Sequence, residues 1–173
     1  MGAGFFTIGI ENSKTPMNIG TLWRSAYVFG AAGIFTINRR YERQASDNIG
    51  AINHIPLQHF QTFPEFFEAL PFGAKLVGIE LDDRATPLRK YVHADRAVYL
   101  LGAEDHGLTE RAREACHDLI VLPGKMSLNV AVAGSVVMAH RIMQREREAA
   151  LMRLAVDKVQ QQMPKAYKEA YDN

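Results

Sequence analysis

Cysteine occurs once in the 173 residues, as Cys116, so no disulfide can form within the chain. The fold must rest on a packed core instead. A chain of this length buries roughly 70% of its unfolded surface, enough to fold without a disulfide or a structural metal. Only seven prolines accompany 47% hydrophobic and 23% charged residues, which excludes collagen-like, mucin-like and extensively disordered chains. No apolar run approaches the roughly 20 residues of a bilayer span. The N-terminal MGAGFFTIGI lacks a basic region ahead of its apolar stretch, and Phe6 stands where a myristoylation signal carries Ser or Thr. These absences set the expectation of a cytoplasmic protein with no membrane partner. An excess of one charge is missing too. Lys and Arg number 20 against 19 Asp and Glu, a net charge of +1, which excludes a uniformly basic coat for non-specific nucleic-acid binding. Local basic clusters remain at Arg39, Arg40 and Arg43 and at Arg141, Arg145 and Arg147.

What is present is an alternation of β-rich runs and helical patterns. Strands are expected at Phe5–Ile10, Gly33–Ile37, Lys75–Leu81, Ala97–Leu101 and Asp118–Leu122. Helices are expected at Asn18–Phe29, where Ile19, Leu22, Trp23 and Ala26 repeat at helical spacing, at Pro64–Leu70, and at Thr109–Ala115 with Thr109 as N-cap. Such alternation implies an α/β fold, a parallel sheet with helices on both faces. The nearly all-apolar stretch Leu128–Met143 reads as a helix buried on all sides, in a deep core position or against a partner subunit. As an interface it would draw apolar area from Val136, Val137, Met138, Ile142 and Met143, with Arg141 and Arg145 at its rim. Beyond it Leu151, Leu154, Ala155, Val159 and Met163 repeat at three and four residues, an amphipathic helix stopped by Pro164. Residues 1–150 are read as one domain and 151–173 as a helical extension that lies over that domain or packs in a dimer.

Metal and nucleophile chemistry find little support. His54 and His59 lack further ligands at suggestive spacing, and Cys116 beside His117 is not a zinc motif. Gly124-Lys125-Met126-Ser127 lacks the earlier glycine of a phosphate loop. Gly102-Ala103-Glu104-Asp105-His106-Gly107 has only two of the three glycines of a dinucleotide fingerprint, with an acidic residue where phosphate needs bare backbone. Each segment alone has an ordinary structural use: Asn18 and Ser127 as helix caps, Arg24 as a solvated helix residue, the glycines as turns. Their order along the chain, two of them just after buried strands where parallel sheets place ligands, is what calls for another account.

Together the segments resemble a family. Asn18-Ile19-Gly20-Thr21-Leu22-Trp23-Arg24 is similar to the first motif of the SpoU/TrmH RNA methyltransferases. Leu101-Gly102-Ala103-Glu104-Asp105-His106-Gly107-Leu108 is similar to the second, and the run from Leu122 to Ala133 to the third. The resemblance implies a C-terminal trefoil knot, a homodimer, S-adenosyl-L-methionine as cofactor, no metal, and methyl transfer to a ribose 2′-hydroxyl of RNA, tRNA ahead of rRNA. It assigns Asn18, Arg24, Glu104 and Asn129 to catalysis. Arg24 would stand at the reacting hydroxyl as a fork that binds phosphate, since a guanidinium is a poor proton acceptor. The proton would leave to a phosphate oxygen, water or Glu104. Cofactor contacts are expected from Ile79, Leu101, Gly102, Ala103, Glu104, Gly107, Leu122, Pro123, Ser127, Leu128 and Asn129, with Gly78 and Glu80 beside them at the strand end. The third motif is compact, with Gly124-Lys125-Met126 joining Pro123 to Ser127. The additional N-terminal RNA-binding domain of some relatives is not expected here, leaving RNA recognition to the catalytic domain. The competing readings are a non-catalytic RNA-binding dimer of the same fold and methyl transfer to a base.

Overall fold

A computed structural model describes residues 4–38 and 53–162 of the chain. The basic cluster Arg39, Arg40 and Arg43, and the helix end at Met163 and Pro164, lie outside the described residues. Seven strands among them form one sheet: β1 (Phe5–Glu11), β2 (Gly33–Ile37), β3 (Leu57–Phe60), β4 (Lys75–Ile79), β5 (Thr86–Pro87), β6 (Arg96–Leu101) and β7 (Asp118–Val121). Their order is β3-β2-β1-β6-β4-β7-β5, and every pairing is parallel. Parallel neighbours need crossovers, and the helix Pro16–Val28 supplies the one between β1 and β2.

Alternation along the strands divides the apolar residues between two cores. Phe6, Ile8 and Ile10 of β1 and Ala97, Tyr99 and Leu101 of β6 face α1 (Pro16–Val28) and α4 (Val130–Gln162). Val98 and Leu100 point the other way, to α2 (Phe63–Glu68) and α3 (Glu110–Ala115), with Phe35, Phe66 and Ala112 around them. Helices therefore cover both faces, as the alternation of patterns implies. Helix α1 starts with Pro16 in its first turn and ends in a Schellman closure: Ala31 N–H donates to Ala26 and Gly30 N–H to Tyr27, with Gly30 at φ +72.

Strands β3 and β5 have no counterpart in the sequence pattern. Leu57–Phe60 is a half-buried four-residue edge strand and Thr86–Pro87 is a two-residue exposed one, too short for a legible period. The other correction concerns α4. The two helical stretches expected from sequence are one helix of 33 residues, and its first half is not buried on all sides. Val137 and Met138 are fully buried in the domain's own core, whereas Val132, Val136 and Met143 face solvent. Arg141 does not lie at a rim. It is fully buried, stacks over the Phe6 ring at 5.0 Å, and donates to the carbonyls of Ala94 (2.7 Å) and Asp95 (3.0 Å) and to the Tyr99 hydroxyl (3.2 Å). In the second half Leu151, Leu154 and Val159 are exposed, so this part of the helix does not lie over its own domain.

The Arg141 site continues as a directed chain. A guanidinium only donates, so the Tyr99 oxygen accepts from it and passes its own proton toward His93 Nδ1. His93 Nε2 then carries a hydrogen and donates to His140 Nδ1 at 2.9 Å. Gln144 accepts from His93 N–H and donates to the Tyr91 carbonyl, which staples the segment before β6 to α4. Burial, then repulsion from His140, Arg141 and Arg145, pushes His93 down to about 3 from its ordinary 6.5. The folded state consequently binds fewer protons than the unfolded chain between these values. The stability from a neutral His93 is complete above about pH 6.5 and is lost as pH falls from there toward 3. We predict that the unfolding free energy of the wild type drops across this window in denaturant titrations, and that His93→Gln flattens the slope whatever it does to absolute stability.

Candidate functional site

Parallel strands carry their C-terminal ends to one edge, and there the chain opens into a cavity of about 480 Å³. Its walls are the end of β4 (Ile79, Glu80, Leu81), the loop after β6 (residues 101–107) and the segment after β7 (122, 123 and 126–130), with Ala133 of α4. The structure brings together here Ile79, Leu101, Gly102, Ala103, Glu104, Gly107, Leu122, Pro123, Ser127, Leu128 and Asn129. Gly78 faces away, because a Cβ on it would meet Leu119, Cys116 and Leu108 in the second core. Leu81, Asp105, His106 and Met126 also line the cavity, beyond the residues expected from sequence. Position within a motif flags Asp105 and His106, the two side chains that the turn between the glycines leaves exposed.

The loop after β6 is closed by reciprocal bonds, Ala103 N–H to the Gly107 carbonyl (3.0 Å) and Gly107 N–H to that of Ala103 (2.9 Å). A Cβ on Gly102 would stand 1.9 Å from the Gly107 carbonyl carbon, and Gly107 holds φ +66, so both glycines are needed. Two carboxylates anchor the chain on the far side of this loop. Glu80 accepts from the N–H of Leu108 (2.6 Å) and of Leu81 (2.9 Å), and Glu11, buried at the end of β1, accepts from the N–H and hydroxyl of Thr109. Thr109 caps α3 through Ala112 N–H, as the sequence pattern expects. Ser127 does not cap α4. Asn129 does, its Oδ1 accepting from Ala131 and Val132.

Three motif residues join in one line. Asn129 Nδ2 donates to Asn18 Oδ1 at 3.0 Å, and Asn18 Nδ2 donates to Glu104 Oε1 at 2.6 Å. Asn18 is buried inside α1, and Glu104 also accepts from the N–H groups of Lys14 and Thr15. Burial alone would push the Glu104 carboxyl up, but the bonds from Lys14, its own backbone, Asn18 and Thr15 outweigh it and hold it below the ordinary glutamate value. Arg24 is not part of this line. It is exposed on α1, six residues and roughly 9 Å of helix rise from Asn18, and does not line the cavity. Cys116 sits in the second core, where burial pushes its thiol up to about 12 and leaves no thiolate at neutral pH.

The sequence pattern of the SpoU rRNA Methylase family matches residues 6–139. The chain belongs to that family. An uncharacterized tRNA/rRNA methyltransferase of Archaeoglobus fulgidus is 28% identical over 141 residues, 77% of this chain and 62% of that protein. One from Mycobacterium tuberculosis is 26% identical over 148 residues, 81% of this chain and 46% of that one. The chain thus spans about half to three fifths of these relatives. Among solved structures, the TrmH/SpoU tRNA modifying enzyme of A. aeolicus has a TM-score of 0.75 at 18% identity, covering 83% of this chain and 77% of that one. The SpoU methyltransferase AviRb of Streptomyces viridochromogenes, solved with its cofactor AdoMet, has 0.71 at 22%, covering 82% and 58%. A protein solved for structural insights into the 2-OH methylation of C/U34 on tRNA has 0.71 at 24%, covering 84% and 99%. These likenesses show the SpoU fold.

The Asn18 amide bridges two partners, and Asn18→Asp would set two carboxylates where the 2.6 Å bond now stands. We expect a loss of about 1–3 kcal/mol of stability at pH 7.5, where both are charged, recovered at pH 5 as one of the pair takes a proton. Urea titrations at the two pH values check this.

Proposed function

We propose that the protein is an S-adenosylmethionine-dependent methyltransferase acting on a ribose 2′-hydroxyl of structured RNA, with tRNA favoured over rRNA. The observation that carries the reading is the line Asn129–Asn18–Glu104, which joins all three family motifs at the mouth of one cavity. Family membership and the tRNA/rRNA methyltransferase names of the relatives support RNA as substrate, and the likeness to the C/U34 protein supports the ribose and tRNA. The cavity fits the cofactor: about 480 Å³ is within the range of small-molecule sites, with apolar walls from Ile79, Leu101, Leu122 and Leu128 and bare backbone at Gly102 and Gly107. When bound, S-adenosylmethionine supplies an activated methyl group. The protein's own part is to align the hydroxyl and manage its proton, so positioning dominates.

Glu104 is poorly suited to take that proton, since its oxygens accept three N–H bonds and its carboxyl is held low. Its role is to orient Asn18, and the proton leaves to a phosphate oxygen or water. Arg24 faces outward, on the surface where Met17, Tyr27 and Val28 of α1 and Val132, Val136 and Met143 of α4 expose apolar area. A homodimer packed on this surface would cover it and let Arg24 serve the second copy's cavity, where its planar fork stabilises developing negative charge. Residues 122–129 carry the chain from β7 on one side of β4 back to α4 against α1, and we read this crossing as the trefoil knot. In the same reading residues 1–150 are the methyltransferase domain, 151–173 a helical extension, and the cytoplasm the compartment. Among the described residues no helix is long and apolar enough to cross a membrane.

Calorimetry should give one S-adenosylmethionine or S-adenosylhomocysteine per chain, unaffected by a chelator. Arg24→Ala should lower RNA methylation by roughly 10²–10⁴ while cofactor affinity and melting temperature hold, with little rescue in Arg24→Lys. Wild-type turnover in either variant sinks the role given to Arg24. Ultracentrifugation should show twice the chain mass, and Val136→Glu, which changes an exposed residue rather than a core one, should shift it toward the monomer.

A further inference from the structure

The loop between Gly102 and Gly107 presents two side chains that the line Asn129–Asn18–Glu104 does not use, Asp105 and His106. Both line the cavity, and they face one another, His106 Nε2 standing 3.0 Å from Asp105 Oδ2. Asp105 is held in turn by the Lys14 ammonium, and the N–H of the same Lys14 donates to Glu104 at 3.0 Å. Lys14 is thus gripped twice, which ties the Asp105–His106 pair and the Glu104–Asn18 pair to one short segment.

The carboxylate sets the polarity of the pair. The bond from Lys14 holds Asp105 below the ordinary aspartate value, so it is charged and only accepts. The imidazole nitrogen turned toward it therefore carries the hydrogen, and the other nitrogen has a free lone pair. Turning the ring over exchanges the two nitrogens and leaves this description unchanged. Among the described residues the second nitrogen has no hydrogen-bond partner, and the His106 side chain is 84% exposed, open to water and to a docked RNA.

The other ionisable side chains of the described lining are spent. Glu80 and Glu104 accept N–H groups on both carboxylate oxygens, and Asp105 carries Lys14. His106 alone among them keeps an unshared basic atom. It is also near: residues 104 and 106 are two apart in a closed turn, so their Cα atoms are separated by no more than about 7 Å, and both side chains line the same cavity. A water between two hydrogen-bonding partners spans roughly 5.5 Å. That is the scale of the gap between a hydroxyl oriented by Asn18 and Glu104 and the free nitrogen of His106.

We propose that His106 is the final proton acceptor of the methyl transfer, taking the 2′-hydroxyl proton through one water while Asp105 holds the ring and balances the imidazolium that forms. The inference rests on the proposed ribose methylation and names the group to which water hands the proton. The hydroxyl oxygen bonds to the methyl carbon and the carbon–sulfur electron pair stays on sulfur. The hydroxyl proton passes to the water as a proton of that water passes to His106. Asp105 does not touch the reacting atoms and is a positioning residue.

The test is single turnover with methyl-tritiated S-adenosylmethionine, saturating protein and total RNA from a host deleted for it. His106→Gln should lower the rate by roughly 10²-fold or more, with S-adenosylhomocysteine affinity in calorimetry and melting temperature unchanged. The wild-type rate should fall on the acid side as His106 takes a proton, and this limb should be missing in His106→Gln. The groups facing the imidazole are Asp105, Lys14 and Glu104, and both carboxyls are held low, so neither titrates on that limb. Added imidazole should restore rate to His106→Ala. His106→Arg keeps a cation without a base and should be as slow as His106→Gln. Wild-type rate and acid limb in His106→Gln, or wild-type rate in His106→Arg, which marks a phosphate contact instead, overturns the proton role and leaves the methyltransferase reading standing. A wild type that binds S-adenosylmethionine yet methylates no RNA overturns both.

Discussion

The side chain of Asn18 has one acceptor and one donor facing the site, and each is spent on a residue far along the chain: Asn129, which caps α4, and Glu104, in the loop after β6. Because an amide cannot reverse its polarity without losing both bonds, this residue fixes the relative placement of α1, the β6 loop and the N-terminus of α4. The candidate site exists only while those three elements keep that placement. Leaving a buried polar group unpaired costs about 1–3 kcal/mol, a large fraction of a domain's net stability. The arrangement is therefore stable as one unit and poorly tolerant of partial change.

Helix α4 is held at two levels, and this explains how a helix with its latter half in solvent gives a rigid wall to a cavity. At its start Asn129 bonds Asn18. Three turns later, at the opposite end of the sheet, Arg141 saturates the carbonyls of Ala94 and Asp95, and Gln144 and Arg145 bond the backbone of Tyr91 and His93. A buried guanidinium costs several kcal/mol in desolvation, and it is stable only where every donor direction is met. Here the two carbonyls, the Tyr99 hydroxyl and the Phe6 ring meet it. The segment leading into β6 is in turn fixed to α4, so the strand that delivers the Gly102–Gly107 loop and the helix that faces it are one packed body.

Much of this architecture is legible in the sequence. The alternation of Phe6, Ile8 and Ile10 in β1, the unbroken apolar run of β6 and the helical period of α1 depend on local burial alone, and local burial is what such patterns report. The site residues are legible through the motif resemblance, and for a different physical reason. Gly102, Gly107, Asn18, Glu104 and Asn129 are fixed by backbone close approach and a polarised bond line, which restrict residue type as well as polarity. The unread parts depend on long-range facts. Leu57–Phe60 and Thr86–Pro87 become strands only because a neighbouring strand is already in place. Arg141 reads as a surface residue because nothing in its own segment announces carbonyls some 46 residues earlier. The apolar stretch from Leu128 to Met143 is uniform as a pattern, yet packing divides it into a covered face at Val137 and Met138 and a bare one at Val132, Val136 and Met143.

That division bears on chemistry. Within one chain the cavity has its orienting groups fully paired, Glu104 with three N–H donors and Asn18 with both neighbours, and its described lining residues include no free cation to meet the charge that develops on a departing proton's oxygen. Lys14 is engaged with Asp105, and Arg24 points away. A preorganised polar site gains its effect from groups already aimed before reaction, so in the proposed methyl transfer a stabilising cation would come from outside this set. The exposed apolar faces of α1 and α4 flank Arg24, and in the proposed homodimer a second copy would cover that surface and receive a guanidinium fork at its cavity. Assembly and catalysis would then have a single physical cause, the exposure of apolar side chains around Arg24 on α1.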